Sequence, residues 1–495
     1  MISLGRGVVN TWCVESVWGE CGRRFGALDG DVEADVVVIG AGVAGLWCAF
    51  DLVRAGERVC VLEADKVAGG VTAGSSAILT YAQDVIYAPL IKKHGVEVAK
   101  KYLADTRDAI AQIVRVIRDE RWDCGLELID FVLFARGKKC ARALERERRA
   151  YAQLDFKTPI DDARNASAGG AGGLPYKVRY ALMAPRAYQI DPVKLCECLA
   201  SYIVAHGGKI YEGARVETPP EDNVLRVAGH AVTANAFVVA THFPIFNMKG
   251  LFWAKMHQEQ NYSVAFTPSE RFDGFCRGIA YESIDKTGYE YRRVGDKILC
   301  DGVSVRTGGR PRRGKYAKLA GHILKYFDAG EMMTAKGGHI ERNEAKRWSE
   351  DISTENLWCA QDCMTLDKLP YAGLYSVGAD NIYVTTGFNK WGMTNSYICA
   401  GVVCAMICGD VANAAPSVVN PYTPQRVALF LNFRETMAHL GHVVASLLAW
   451  GGPRCPHIGC KLKWNRDEQT WDCPCHGSRF DKRGRVINNP STKDM

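Results

Sequence analysis

The 495-residue sequence predicts an α/β fold, and three stretches predict it. A continuous apolar run, Val36-Val37-Val38-Ile39, is followed at once by glycines, an amphipathic stretch over 44–54 and a second apolar run, Val59-Cys60-Val61-Leu62. Runs rich in β-branched residues and bounded by turn residues read as parallel strands buried on both faces, so this segment forms a βαβ unit. Far along the chain, Phe237-Val238-Val239-Ala240 supplies another such strand.

The elements follow in order. An arm over 1–33 ends in the turn signal Asp29-Gly30-Asp31, and a body over 34–425 begins with the βαβ unit. Helical spacing with mixed charge occupies 95–121 and 139–154, where the charge run 145–149 reads as a solvated helix face. Residues 165–174 form a glycine-rich loop containing a chance sequon, Asn165-Ala166-Ser167. A helix over 192–206 precedes the strand Lys209-Ile210-Tyr211, and the basic loop 306–315 reads as solvated surface. Beyond Asn420-Pro421-Tyr422-Thr423-Pro424 the pattern changes, and a linker helix over 426–450 leads into a Cys/His-rich module over 451–495.

Composition narrows the classes. Hydrophobic residues make up 47% and charged residues 24%, which excludes wholesale disorder and fibrous repeats. The net charge of +7 is small, and without an aromatic-interleaved basic strip no nucleic-acid partner is expected. The longest apolar run, 397–409, falls short of the roughly 20 residues a spanning helix needs and reads as a buried helix. Residues 1–10 lack the pattern of a secretory signal, so the expected compartment is the cytoplasm. Nineteen cysteines, an odd number, argue against complete pairing.

Gly40-Ala41-Gly42-Val43-Ala44-Gly45 follows a strand and opens a helix, and Glu63 closes the next strand. Gly40 permits the tight turn, Gly42 lets the backbone approach a pyrophosphate, and Gly45 lets helix and strand pack closely. The helix N-terminus offers free N–H groups to the phosphates, and Glu63 can accept a ribose hydroxyl. No second fingerprint follows, which favours a single FAD.

At the other end, Cys455-Pro456-His457 and Cys473-Pro474-Cys475-His476 stand fifteen residues apart. Cys455, His457, Cys473 and His476 supply two thiolates and two imidazoles, the ligand set of a Rieske [2Fe–2S] centre and also one that suits tetrahedral zinc.

From residues 28–31 onward the sequence resembles the glycine/D-amino-acid oxidase superfamily of FAD-dependent oxidoreductases, and within it the branch with a C-terminal Rieske domain. The resemblance implies a Rossmann-like FAD domain with a mixed-sheet substrate domain, plus a small all-β Rieske module. It also implies that Ser75 and Ser76 lie in a loop over the flavin and that Phe237-Val238-Val239-Ala240-Thr241-His242 returns beneath the adenine side. The turn holding Gly387, Gly392 and Met393 would aim its helix at the flavin pyrimidine. Ile78 departs from the pattern, since relatives often carry Lys there.

Cys455-Pro456-His457-Ile458-Gly459-Cys460 and Cys473-Pro474-Cys475-His476-Gly477-Ser478 resemble the loops of cytochrome bc type Rieske proteins. That likeness implies a Cys460–Cys475 disulfide and favours the iron–sulfur cluster over zinc. Ser478 matches a serine that bonds cluster sulfur, whereas Phe480 replaces the Tyr of high-potential relatives. The strands that usually precede the first loop are missing, so the module is expected to lean on the flavin domain.

Arg293, in Tyr289-Glu290-Tyr291-Arg292-Arg293, falls where related amine oxidases place a carboxylate-binding Arg; a surface charge is the alternative. Cys359 and Cys363 lie near a position used for covalent flavin attachment in some sarcosine oxidases, although buried thiols are commoner. His439 and His442 could share a metal but read as ordinary helix residues.

The expected activity is oxidation of an amine or amino-acid C–N bond by a dehydrogenase that passes electrons through the cluster to a protein or quinone acceptor. The alternative is a non-catalytic electron-transfer subunit. A Rieske oxygenase is disfavoured, because no D-x-x-H-x-x-x-H-like run supplies a mononuclear iron site.

Overall fold

The computed structural model describes residues 16–156, 173–286, 288–309, 314–327, 357–409, 420–426 and 433–495. Most of the loop at 165–174, with its sequon, the centre of the basic loop and the start of the linker helix lie outside them.

Val32–Ile39 pairs in parallel with Val59–Leu62 on one side and His230–Val239 on the other. The strand, helix and strand of the predicted βαβ unit are all present, with the helix at Val43–Arg54. Alternate residues explain the unbroken apolar run. Val36 and Val38 enter one core with the Val43–Arg54 helix, and Val37 and Ile39 enter a second core on the opposite face. Lys209–Tyr211 and Ile382–Thr386 extend the sheet in parallel, while Val224–Val227 and Tyr371–Leu374 are antiparallel.

The second sheet has eight strands, in the order Leu357–Thr365, Met256–Phe266, Lys297–Arg306, Tyr289–Val294, Ile279–Ser283, Glu127–Ala135, Tyr180–Gln189 and Ile78–Leu79. It is antiparallel except where Ile279–Ser283 runs parallel to Glu127–Ala135. The helix at Lys315–Phe327 covers one face. The third sheet is a four-stranded antiparallel meander, Lys463–Asn465, Thr470–Asp472, Arg479–Phe480 and Val486–Asn488. These are the expected α/β body with a mixed second sheet and the small all-β module. No helix among the described residues is long and apolar enough to cross a membrane.

The linker helix runs Phe433–Leu448, and no strand intervenes between it and Cys455. The module instead rests on the second sheet. Gln258, Gln260 and Tyr262 alternate along one strand and so share a face. Gln258 Nε2 donates to the carbonyls of His476 (2.7 Å) and Asn489 (3.0 Å), and Gln260 Nε2 donates to Asp472 (2.9 Å). Asn465 Nδ2 donates to Tyr262 Oη, and Gln361 Nε2 donates to the Gly477 carbonyl.

One reading of the helices needs correction. The run 145–149 does carry an exposed Arg149–Glu145 pair, but Glu147 is fully buried. Its carboxylate accepts from the N–H groups of Ile86, Tyr87 and Ala88 and satisfies the start of the Tyr87–His94 helix, which no local side chain caps.

Candidate functional site

A cavity of about 270 Å³ lies between the first two sheets. Gly40, Gly42, Glu63, Ser75, Ser76, Ile78, Gly392 and Met393 all line it. At one end the Val43–Arg54 helix begins with only the Thr72 hydroxyl accepting from the Val43 N–H and no acidic residue in its first turn, which leaves positive dipole facing the space. The Gly392–Ile407 helix begins at the other, also with no acidic residue in its first turn. Gly40 has a φ of 106°, and a Cβ there would lie 2.6 Å from the Ala240 carbonyl oxygen. Only glycine serves that turn. A Cβ on Gly45 would fall on the Gly40 carbonyl, so Gly45 packs helix against strand behind the cavity wall.

Glu63 lines the cavity while its carboxylate accepts from the N–H groups of Ala41 (2.7 Å) and Asp65 (2.9 Å), and burial pushes its pKa up. It therefore braces the glycine loop. A glycine cradle, two helix starts without acidic residues and a half-buried acid at the strand end fit a dinucleotide such as FAD.

Two expectations shift. Gly387 does not line the cavity; its φ is 75°, and a Cβ would meet Thr365 and Met256 Sδ, so glycine is required there by packing behind the wall. Arg293 is not in the site. Its Nη1 donates to the Asp273 carbonyl and its Nη2 pairs with the Asp273 carboxylate at 3.1 Å. Strand alternation puts it on the face opposite to Glu290, which does line the cavity. Cys363 lines the cavity and Cys359 does not; burial pushes both thiols well up.

Carboxylates form the far wall. Glu282, Glu290, Asp301 and Asp362 come from four different strands of the second sheet, and sequence reasoning missed them. Burial raises Glu282, Glu290 and Asp301 well or clearly above the usual carboxyl range, and it raises Asp362 to about 6 against the pull of Lys390. Lys390, which also lines the cavity, donates to Ser304 (2.9 Å) and lies 3.6 Å from Glu259.

The C-terminal module holds the second group of residues. Cys455 and Cys473 face each other closely enough to hydrogen-bond, and the His457 and His476 rings lie 5.2 Å apart at 87°. His476 is fully buried, and neither ring nitrogen completes a well-formed hydrogen bond. Burial holds both imidazoles neutral, with His457 at about 4. Neutral imidazoles, one buried and one half-buried, beside paired thiols are the donor chemistry that a [2Fe–2S] centre requires. Cys460 and Cys475 form the implied disulfide, so although Cys460, Cys473 and Cys475 cluster within 4.8 Å, two of those sulfurs are already bonded to each other. Phe480 is buried among these cysteines.

His439 is more than an ordinary helix residue. It is buried with its ring 6.3 Å from that of His476; its Nε2 donates to the Trp253 carbonyl and its Nδ1 accepts from Arg306. Arg306 also donates to the carbonyls of Pro474 and Cys475, tying the second ligand loop to the body.

The two sites share a wall. Thr241 and His242 line the cavity, and the next residue, Phe243, packs its ring 6.1 Å from that of His476. From the module side, Ile487, Asn488, Asn489 and Thr492 also line the cavity, and Asn489 Nδ2 donates to the Thr241 carbonyl at 2.7 Å.

Comparison with known proteins finds matches to both parts of the chain. A family model described as FAD dependent oxidoreductase matches residues 35–406, and one described as Rieske [2Fe-2S] domain matches residues 445–495. A Bacillus subtilis (strain 168) protein named as a Rieske 2Fe-2S iron-sulfur protein, YhfW, is 28% identical over 95% of this chain and 94% of its own. Gamma-glutamylputrescine oxidoreductase of Escherichia coli (strain K12) is 24% identical over 78% of this chain and 86% of its own. Among solved structures, L-proline dehydrogenase from P. horikoshii shares the fold with a TM-score of 0.60 at 16% identity, covering 80% of this chain and 98% of that one.

Proposed function

The chain belongs to the FAD dependent oxidoreductase family and carries a C-terminal Rieske [2Fe-2S] domain, and on that premise we propose that it is a dehydrogenase of amine or amino-acid C–N bonds whose electrons leave through the cluster. Bound FAD supplies a two-electron acceptor for the hydride on the carbon beside an uncharged amine nitrogen, and a [2Fe–2S] centre carries electrons onward one at a time. The substrate leaves as an imine, which water hydrolyses.

The chain's own residues divide the remaining work. Gly40 and Gly42 with Glu63 hold the dinucleotide end, with Gly45 packing the helix behind them, and Ser75, Ser76, Gly392 and Met393 surround the reacting end. Cys455, His457, Cys473 and His476 hold the cluster, with the Cys460–Cys475 disulfide joining their loops. Asn488 and Asn489 seal the cavity from the module side and help exclude water.

The observation that carries the proposal is the shared wall, in which one short segment, Thr241–Phe243, touches both the cavity and His476. A cluster module with no electron-transfer role has no need to close the flavin cavity with its own tail. In the test, His476→Ala is expected to leave anaerobic bleaching of the flavin by substrate intact and to abolish turnover with a one-electron acceptor. Unchanged turnover would make the module structural, and a flavin that no amine or amino acid bleaches would leave an electron-relay subunit.

A further inference from the structure

We infer that the reacting end of the cavity takes a substrate with two or more positively charged amine centres and no carboxylate, a diamine or polyamine. The inference rests on the proposed amine chemistry and narrows its substrate class.

Glu282, Glu290 and Asp301 are direct cross-strand partners, Glu282 opposite Glu290 and Glu290 opposite Asp301. Three acids in a row across adjacent strands span roughly 10 Å. Like charges directly opposite one another destabilise a sheet, so the row demands either protons or a cation. Asp301 is 3% exposed, lines the cavity, and its Oδ1 has no hydrogen-bond partner; Glu282 Oε2 is also buried without one. Buried unpaired carboxylate oxygens at a cavity wall are costly unless a ligand satisfies them.

Lys390 and Arg292 pull on this wall without hydrogen-bonding to its acids. Lys390 is already engaged by Ser304 and Glu259. Arg292 shares the face of Glu290, but its Nη1 donates to the carbonyls of Ser76, Ala77 and Ile190, and its guanidinium stacks on Trp18 at 4.7 Å. Arg215 lines the cavity beside the Glu63 strand end, away from the acid row. Arg293 is held by Asp273 on the other face. Among the described residues Arg215 is the one arginine that lines the cavity, so no guanidinium fork there faces the acid row, whereas several acceptor oxygens are available for ammonium groups. One amine would release its proton to solvent before it reacts, and the second would stay charged against Asp301 and Glu290.

The test titrates photoreduced holoprotein, in which no oxidation can follow, with 1,4-diaminobutane, butylamine and glycine by calorimetry at matched ionic strength. The diamine is expected to bind at least tenfold tighter than butylamine, and glycine not at all. Asp301→Asn should weaken the diamine by about 10- to 100-fold, the loss of a hydrogen bond to a charged group. If that variant fails to retain flavin, Glu290→Gln replaces it, and the ligand series on the unaltered protein needs no variant. Glycine binding as tightly as the diamine, or diamine affinity indifferent to both substitutions, would overturn the inference. A parallel titration of oxidised protein separates the two proposals: bleaching by amino acids alone removes the diamine class and keeps the dehydrogenase, whereas tight diamine binding without bleaching by any amine does the reverse.

Discussion

At the scale of single residues, the position of a side chain on its strand decides whether it belongs to the site. Arg293 and Glu290 sit three apart on Tyr289–Val294 and therefore face opposite ways, the first toward Asp273 and the second into the cavity. Gly42 lines the cavity, and a Cβ there would already stand 3.2 Å from Thr72 Oγ1. Gly42→Val should abolish FAD retention while iron and acid-labile sulfide stay at wild-type levels; full flavin occupancy would remove the loop assignment. Glu147 makes a separate, purely structural prediction. Glu147→Ala leaves three N–H groups at a buried helix start without an acceptor, and unfolding measurements should show a loss of about 1–3 kcal/mol.

At the scale of elements, the Met256–Phe266 strand works on both faces. Asn261 lines the cavity, and Gln258, Gln260 and Tyr262 on the other face hold the cluster module. Gly477, inside the second ligand loop, has a φ of 86°, and a Cβ there would come within 2.6 Å of the Gln258 side chain. Gly477→Ala should therefore push Gln258 off the carbonyls of His476 and Asn489, lowering iron content several-fold while flavin content holds. Equal cluster occupancy in this variant would mean that the polar ladder does not position the module. The segment after the Gly392–Ile407 helix has its own anchor. Arg426 meets Asp367 at 2.6 Å, stacks on Tyr371 at 3.7 Å and donates to the carbonyls of Leu369 and Pro370. Asp367 is fully buried, so Arg426→Ala would strand its charge and cost about 3–5 kcal/mol in a denaturation experiment.

At the scale of the whole molecule, legibility in the sequence followed the range of the signal. The βαβ unit, the strand at 237–240 and the four Cys/His positions were readable because each is a short run or a fixed spacing. What was hidden depends on pairing between distant strands. Glu282, Glu290 and Asp301 become a row only through antiparallel register, and nothing in the local pattern of Tyr289-Glu290-Tyr291 marks Glu290 as a wall of a cavity. The docking ladder was hidden for the same reason, since Gln258 and His476 are 218 residues apart. His439 read as an ordinary helix residue because its partner Arg306 lies 133 residues upstream. Together these distant pairings place the second sheet between a cavity and a Cys/His module, with the module's tail lining that cavity.

The central claim, that substrate electrons reach the cluster, is tested most directly by adding a bleaching amine to oxidised protein without oxygen or dithionite and following flavin absorbance together with electron paramagnetic resonance. The account predicts that the flavin bleaches and that a signal with the low average g value of mixed His/Cys ligation grows in from substrate alone, and that the signal is absent from His476→Ala. A flavin that bleaches while the cluster stays silent, although dithionite reduces it, would contradict the account.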